Sequence, residues 1–244
     1  YACGTFELKA IATSDNISLL EIGNYIWKSD DEEAAIIEYS ELSMDDAEFI
    51  TVKGRFATSL LSRRIIWGTE VLSGNISDCV AQLLNNHIIS PTDTDRTIDF
   101  ISYANDSLTD TVNTQVSYEN LMSEITALCE TADVGIKTVL NISNGTFTVK
   151  LYKGSSSQAV FSREYENLIS QTYTQNSSDY ASIALVGGEG EGAERTFAAT
   201  GSGSGEDRRE IFVDAKDLQS KSFTDYTAAL VFRGQSKLSG YVFT

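Results

Sequence analysis

A single histidine, His87, sets the first limit on chemistry in this 244-residue chain. One imidazole cannot build an HExxH motif, a histidine-rich zinc site or a mechanism that needs two imidazoles. His87 also falls on the apolar stripe Ile76, Cys79, Val80, Leu83, Leu84, Ile88. That spacing predicts a partly buried, hydrogen-bonded core histidine rather than a general base. Gly201-Ser-Gly-Ser-Gly205 carries Gly where the GxSxG elbow needs its nucleophilic Ser, so serine hydrolysis has no support.

Two other stretches resemble binding motifs and fail on chemistry. Ala181–Val186 runs into Gly187-Gly-Glu-Gly-Glu-Gly192 as a strand runs into a dinucleotide loop. The glycines miss the GxGxxG spacing, no helix pattern follows, and Glu189 and Glu191 would face a pyrophosphate with like charge. Asp93, Asp95 and Asp99 lack the glycine of a calcium loop, and Arg96 stands among them. Asp30, Asp31, Glu32 and Glu33 would alternate faces on a strand, which predicts a solvated turn. Cys3, Cys79 and Cys129 are odd in number and widely separated, signalling neither a disulfide framework nor a zinc site. Cys79 and Cys129 are expected in the core. No catalytic residue, cofactor site or metal site is assigned.

The elements around these residues read as a strand-dominated α+β chain. Eleven Tyr, eleven Phe and many β-branched residues favour pleated surfaces. Short strands are expected at 5–13, 25–28, 35–39 and 49–53. An amphipathic helix is expected from Asn75, as cap, to Ile88, ended by Pro91 and Thr92-Asp-Thr-Asp95. A strand follows at 96–103, and a second helix at 118–131 capped by Ser117, packed beside the first. Val134–Ile142 and Thr146–Tyr152 alternate around Ser143-Asn144-Gly145, which predicts a hairpin. Further strands are expected at 181–186, 195–199 and 208–213, a helix at 223–238, and a last strand at Gly240–Thr244.

Net charge is −17, with 35 acidic and 18 basic residues. Such a surface repels phosphate, which disfavours tight nucleic-acid binding. No apolar run reaches the ~18 residues of a membrane helix, and no membrane insertion is expected.

Several stretches together carry a resemblance: Glu7–Ala10, Ile36–Tyr39, Val52-Lys-Gly-Arg-Phe-Ala-Thr-Ser-Leu-Leu-Ser-Arg-Arg-Ile-Ile66, Ile183–Gly190, Arg195, Arg209–Asp214 and a helix to Leu238. Their order and spacing resemble the siphovirus Gp37-like family of phage and prophage tail proteins, similar to tail-hub or baseplate proteins. That resemblance implies two β-barrel-like tube domains, at 1–72 and 156–244, flanking an α+β insertion at 73–155 that holds two helices and a hairpin. The second tube domain is expected to be truncated at its C-terminus. It further implies a homotrimer in a virion tail, made in the bacterial cytoplasm, that docks tube, distal-tail, tip or fibre proteins and lets DNA pass an acidic channel without specific binding. Arg55, Arg63 and Arg64 are the expected inter-protomer contacts, pairing with acids of a neighbouring copy. The readings set against this one are an extracellular carbohydrate-binding or adhesin module and a hydrolase with a carboxylate pair.

Overall fold

A computed structural model describes residues 3–44, 47–155, 160–172 and 174–240. The expected terminal strand lies, apart from Gly240, outside the described residues. Two compact units are resolved, Tyr1–Val112 with Val116–Tyr152, and Asn113–Gln115 with Lys153–Thr244.

The first unit opens with β1 (Thr5–Ile11), the short helix α1 (Ser14–Leu19), β2 (Tyr25–Trp27), β3 (Ala34–Met44) and β4 (Glu48–Phe56). These strands form one antiparallel sheet in the order β1-β4-β3-β2. Alternation sorts its two faces. Val52 pairs with Leu8 and Ser40, and Ile50 with Ala10 and Leu42. Ile37, Ile50, Val52 and Leu20 are the buried centre of that face, with Phe6, Ala10, Ala12 and Ile26 against them. The opposite face is charged: Lys53 meets Glu7 at 3.0 Å, and the Lys9 ammonium stands 4.3 Å from the Phe49 ring centre. The sheet is irregular between Ile37 and Tyr39, where the register with β4 slips. Gly54 sits there, so close to the Ile36 carbonyl that a Cβ would lie 1.8 Å from its oxygen.

A 3-10 turn, Ala57–Arg63, leads to β5 (Thr69–Asn75) and α2 (Ile76–Leu84). The helical stripe behaves as its period predicts: Ile76, Cys79, Val80, Leu83 and Leu84 are buried. Asn75 occupies the cap position but makes no side-chain bond to the helix backbone; its Nδ2 instead points to Asp78 Oδ2 at 3.5 Å. Past Leu84 the helix widens into a π-turn, Asn85–Ile89, which turns His87 and Ile88 inward. The expected strand at 96–103 is shorter: Thr94–Arg96 is a 3-10 turn capped by Asp93, and β6 spans Ile101–Ala104.

β7 (Thr111–Ser117) pairs with β5. α3 (Leu121–Thr131) begins three residues later than its periodicity suggested. Asn120, not Ser117, caps it, accepting from Met122 N and Ser123 N. Leu121, Ile125, Leu128 and Cys129 form its buried side, and it packs on α2 as expected. β8 (Gly135–Asn141) and β9 (Thr146–Tyr152) make the predicted hairpin, closed through Gly145 at φ +68°. β6 joins β9 in parallel. A buried Thr58–Thr138 hydroxyl pair at 2.9 Å links the 57–63 turn to β8.

In the second unit, β10 (Ile183–Gly187) lies between β11 (Phe197–Gly201), antiparallel, and β12 (Glu210–Asp214), parallel. The glycine-rich stretch after β10 is therefore a hairpin loop, with Gly188 N donating to Thr196 O at 2.8 Å. α4 (Tyr226–Leu238) covers one sheet face, joining Ala184, Val186, Ala198 and Val213 to Ala229 and Leu230. Asp225 caps this helix by accepting from Ala228 N. Gly234 permits the close approach, since a Cβ there would stand 2.6 Å from Thr200 Cγ2 and 2.8 Å from Val186 Cγ2. β11 starts at Phe197 rather than Arg195 because Arg195 is drawn across the end of β10. Its Nη2 donates to Gly187 O and to Asp214 Oδ1, and its Nε to Gly188 O.

Candidate functional site

Of the three arginines singled out by the sequence, Arg55 and Arg63 both act on the Glu38 carboxyl, while Arg64 turns to Arg96. Arg55, on β4, grips Glu38 of the same chain through two bonds, Nε to Oε2 at 2.8 Å and Nη2 to Oε1 at 2.7 Å. That fork holds the Glu38 carboxyl below its ordinary range, through the hydrogen bonds first and charge second. Arg64 turns inward, donating from Nε to Arg96 O at 2.7 Å and from Nη1 to Arg63 O at 3.0 Å. Arg63 is exposed at the end of the 3-10 turn. Arg55 and Arg64 thus make bonds within the fold, the Arg55 side chain remaining 43% exposed, and Arg63 is exposed as well.

Two sheet faces carry exposed apolar side chains. On the apolar side of the four-stranded sheet, Leu42 and Met44 are 60% and 73% exposed. With Ala12, Ile17 and Glu48 they line a groove of about 170 Å3. β1 is an outer strand exposed at most positions, so its outward N–H and C=O groups are free to pair with another chain. In the second unit, the face turned away from α4 carries Leu185, Phe197 and Phe212, each more than 40% exposed. The Arg195 guanidinium lies 5.7 Å from the Phe197 ring centre and 5.4 Å from that of Phe212. Gly187 makes room for it, since a Cβ there would sit 2.6 Å from Arg195 Cζ. Sequence reasoning missed this arrangement; the Gly-Gly pair beside a lone Arg was its only trace.

One polar cavity, about 420 Å3, opens in the first unit beside β5 and the π-turn. Glu70 and Asp93 both line it, which raises the question of a carboxylate pair. Each acid is already engaged. Glu70 accepts from Gln82 Nε2 at 2.8 Å and from Asn86 Nδ2 at 3.0 Å, and Asp93 caps its turn through Asp95 N. His87, 3% exposed, brings Nε2 to 2.7 Å from Glu70 Oε1. The contact is short but poorly directed, and neither ring nitrogen makes a well-aligned hydrogen bond. His87 is therefore more buried and less satisfied than its spacing suggested. Burial pushes its pKa down; Glu70 opposes that shift, and Arg96 adds to it. Among the described residues no group of three or more His, Cys, Asp or Glu side chains could hold a metal ion.

A pH dependence follows. The folded imidazole binds its proton more weakly than the unfolded one, so stability is full above the unfolded value near 6.5 and falls as pH drops through it. The steepest loss from this one group is about 1.4 kcal/mol per pH unit. Denaturant titrations between pH 7.5 and about 5.5, above the usual carboxylate range, should show it, and His87→Gln should flatten the curve. An unchanged slope in the variant would refute this assignment.

The fold has solved counterparts. The prophage tail protein gp18 of Listeria monocytogenes matches with a TM-score of 0.51 at 13% identity, over 88% of this chain and 63% of that one. A tail protein of Neisseria meningitidis matches at 0.51 and 12%, over 93% and 64%. The 43 kDa tail protein of prophage MuSo2 from Shewanella oneidensis matches at 0.53 and 12%, over 98% and 71%. The chain spans under two thirds of the length of the first two. At such identities the likeness establishes a shared strand-rich α+β fold with prophage tail proteins. No curated protein sequence matches significantly. Among the described residues no helix is long and apolar enough to cross a membrane. Residues 1–241 match the siphovirus ReqiPepy6 Gp37-like protein family, and the chain belongs to it.

Proposed function

We propose that this chain is a structural component of a phage or prophage tail, a baseplate hub between tail tube and tip that works by self-association and docking, without catalysis. Its family membership and a fold shared with prophage tail proteins support a tail role. The observation that carries the assembly reading is the open apolar groove at Leu42 and Met44 on the sheet whose outer strand β1 is uncovered. A second chain seated there would cover apolar side chains and pair free backbone groups in one step. The working arrangement is a homotrimer in which 1–72 and 156–244 are tube domains and 73–155 an insertion, with Arg55, Arg63 and Arg64 as contacts to a neighbouring copy. Tube, distal-tail, tip or fibre proteins would be its further partners in the virion tail. Three copies carry 3 × −17 = −51 formal charges, and an acidic channel wall would let DNA pass without sticking.

Light scattering coupled to size exclusion tests this. The 26.7 kDa chain should elute near three times that mass. Leu42→Glu with Met44→Glu should return it to a monomer with unchanged circular dichroism. A monomer at every accessible concentration, or a trimer indifferent to both substitutions, would overturn the proposed interface.

A further inference from the structure

The polar cavity of the first unit shares no lining residue with the Leu42 and Met44 groove, and its walls are fixed by hydrogen bonds. Arg96 is held in place by Nη2 donating to Ile65 O at 2.6 Å, with its guanidinium 5.0 Å from the Trp67 ring centre. Glu70 is pinned by Gln82 and Asn86. Trp67 is 63% exposed at the rim, while His87 on the inner wall is 97% shielded and has no well-aligned partner for either ring nitrogen. Ser90 and Thr92 add hydroxyl groups to the same wall. The volume, about 420 Å3, falls in the ~300–1,000 Å3 range of small-molecule sites.

The lining selects a ligand class. Two carboxylates against one guanidinium disfavour an anion, and the polar wall disfavours an apolar molecule. What remains is a neutral molecule dense in groups that both donate and accept, with a C–H face to lie along an indole. Hydroxyls have that dual character, and an exposed indole offers a broad apolar plane with a polar edge. We propose that this cavity is a binding site for a neutral saccharide, held by Asp93, Arg96 and the hydroxyls of Ser90 and Thr92, with Trp67 as its platform and Glu70 and His87 closing its inner wall. The inference does not depend on the oligomeric state, so its failure would leave the tail reading intact.

The chain contains two tryptophans, so Trp27→Phe leaves Trp67 as sole reporter. Titration of that variant with maltose, cellobiose, lactose and chitobiose should give a saturable emission change with at least one of them. Saturation-transfer NMR on the unsubstituted chain should show the same sugar bound, with the signal falling at least tenfold in Trp67→Ala and in Asp93→Asn. Both substitutions lie at the surface, and an unchanged melting temperature would show that the variants fold. No response from any of the four sugars, a linear response without saturation, or a signal undiminished in Trp67→Ala would each overturn the proposal. So would inorganic phosphate binding in preference to all four.

Discussion

Gly54→Ala is expected to cost at least about 3 kcal/mol of folding stability, an effect at the top of the range for added volume in a packed site. The added methyl would lie 1.8 Å from Ile36 O and 2.9 Å from a ring carbon of Phe6. The first of these is backbone in the central pairing of the sheet, so rotamer changes cannot relieve the clash. β3 would have to move away from β4 where the register already slips between Ile37 and Tyr39. Equilibrium urea unfolding followed by tryptophan fluorescence measures the loss. A cost below about 1 kcal/mol, within the scatter of ordinary substitutions, would mean that the two strands are not so close.

Leu83→Ala should be nearly as damaging, at about 2–5 kcal/mol. Leu83 is 0% exposed on the inner side of α2, in the stripe with Val80 and Leu84. Its loss removes apolar burial and leaves a void that neighbours from two rigid elements cannot fill. Leu19→Ala provides the comparison, because Leu19 is 68% exposed in α1 and should change stability by no more than about 0.5 kcal/mol. Equal effects at the two sites would contradict the burial of the α2 stripe.

Much of this core is readable from local pattern. Seven residues at helical spacing are enough to place α2, since an amphipathic helix turns its one apolar stripe to the core. The 134–152 hairpin is as plain, because Asn144-Gly145 offers the turn and Phe147, Val149 and Leu151 repeat every second residue. The start of α3 shows where such reading stops. Ser117 and Asn120 are both capping types, and periodicity does not choose between them. The choice is made from outside the helix: Asn120 Nδ2 donates to Ser62 O, Ile66 N to Glu119 O and Leu121 N to Arg64 O. Those bonds tie 119–121 to the 62–66 segment and keep Asn120 extended, so the helix begins only at Leu121. The arginines illustrate the same limit. Nothing near Arg55 or Arg64 in the chain reveals that one is clamped by Glu38 and the other by the Arg96 carbonyl.

Composition, period and turn chemistry settled the strand-rich α+β character, the inward faces of α2 and α3, the hairpin, and the lack of any recognisable nucleophile motif. Each depends on residues within a few positions of one another, where backbone geometry alone relates side chains. The tertiary structure alone decided the parallel pairing of β10 with β12, the passage of Arg195 over Gly187, and the meeting of Trp67, Glu70, His87 and Arg96 around one cavity. These join positions up to about thirty residues apart, and no local spacing records which distant backbone group or side chain will neutralise a given charge.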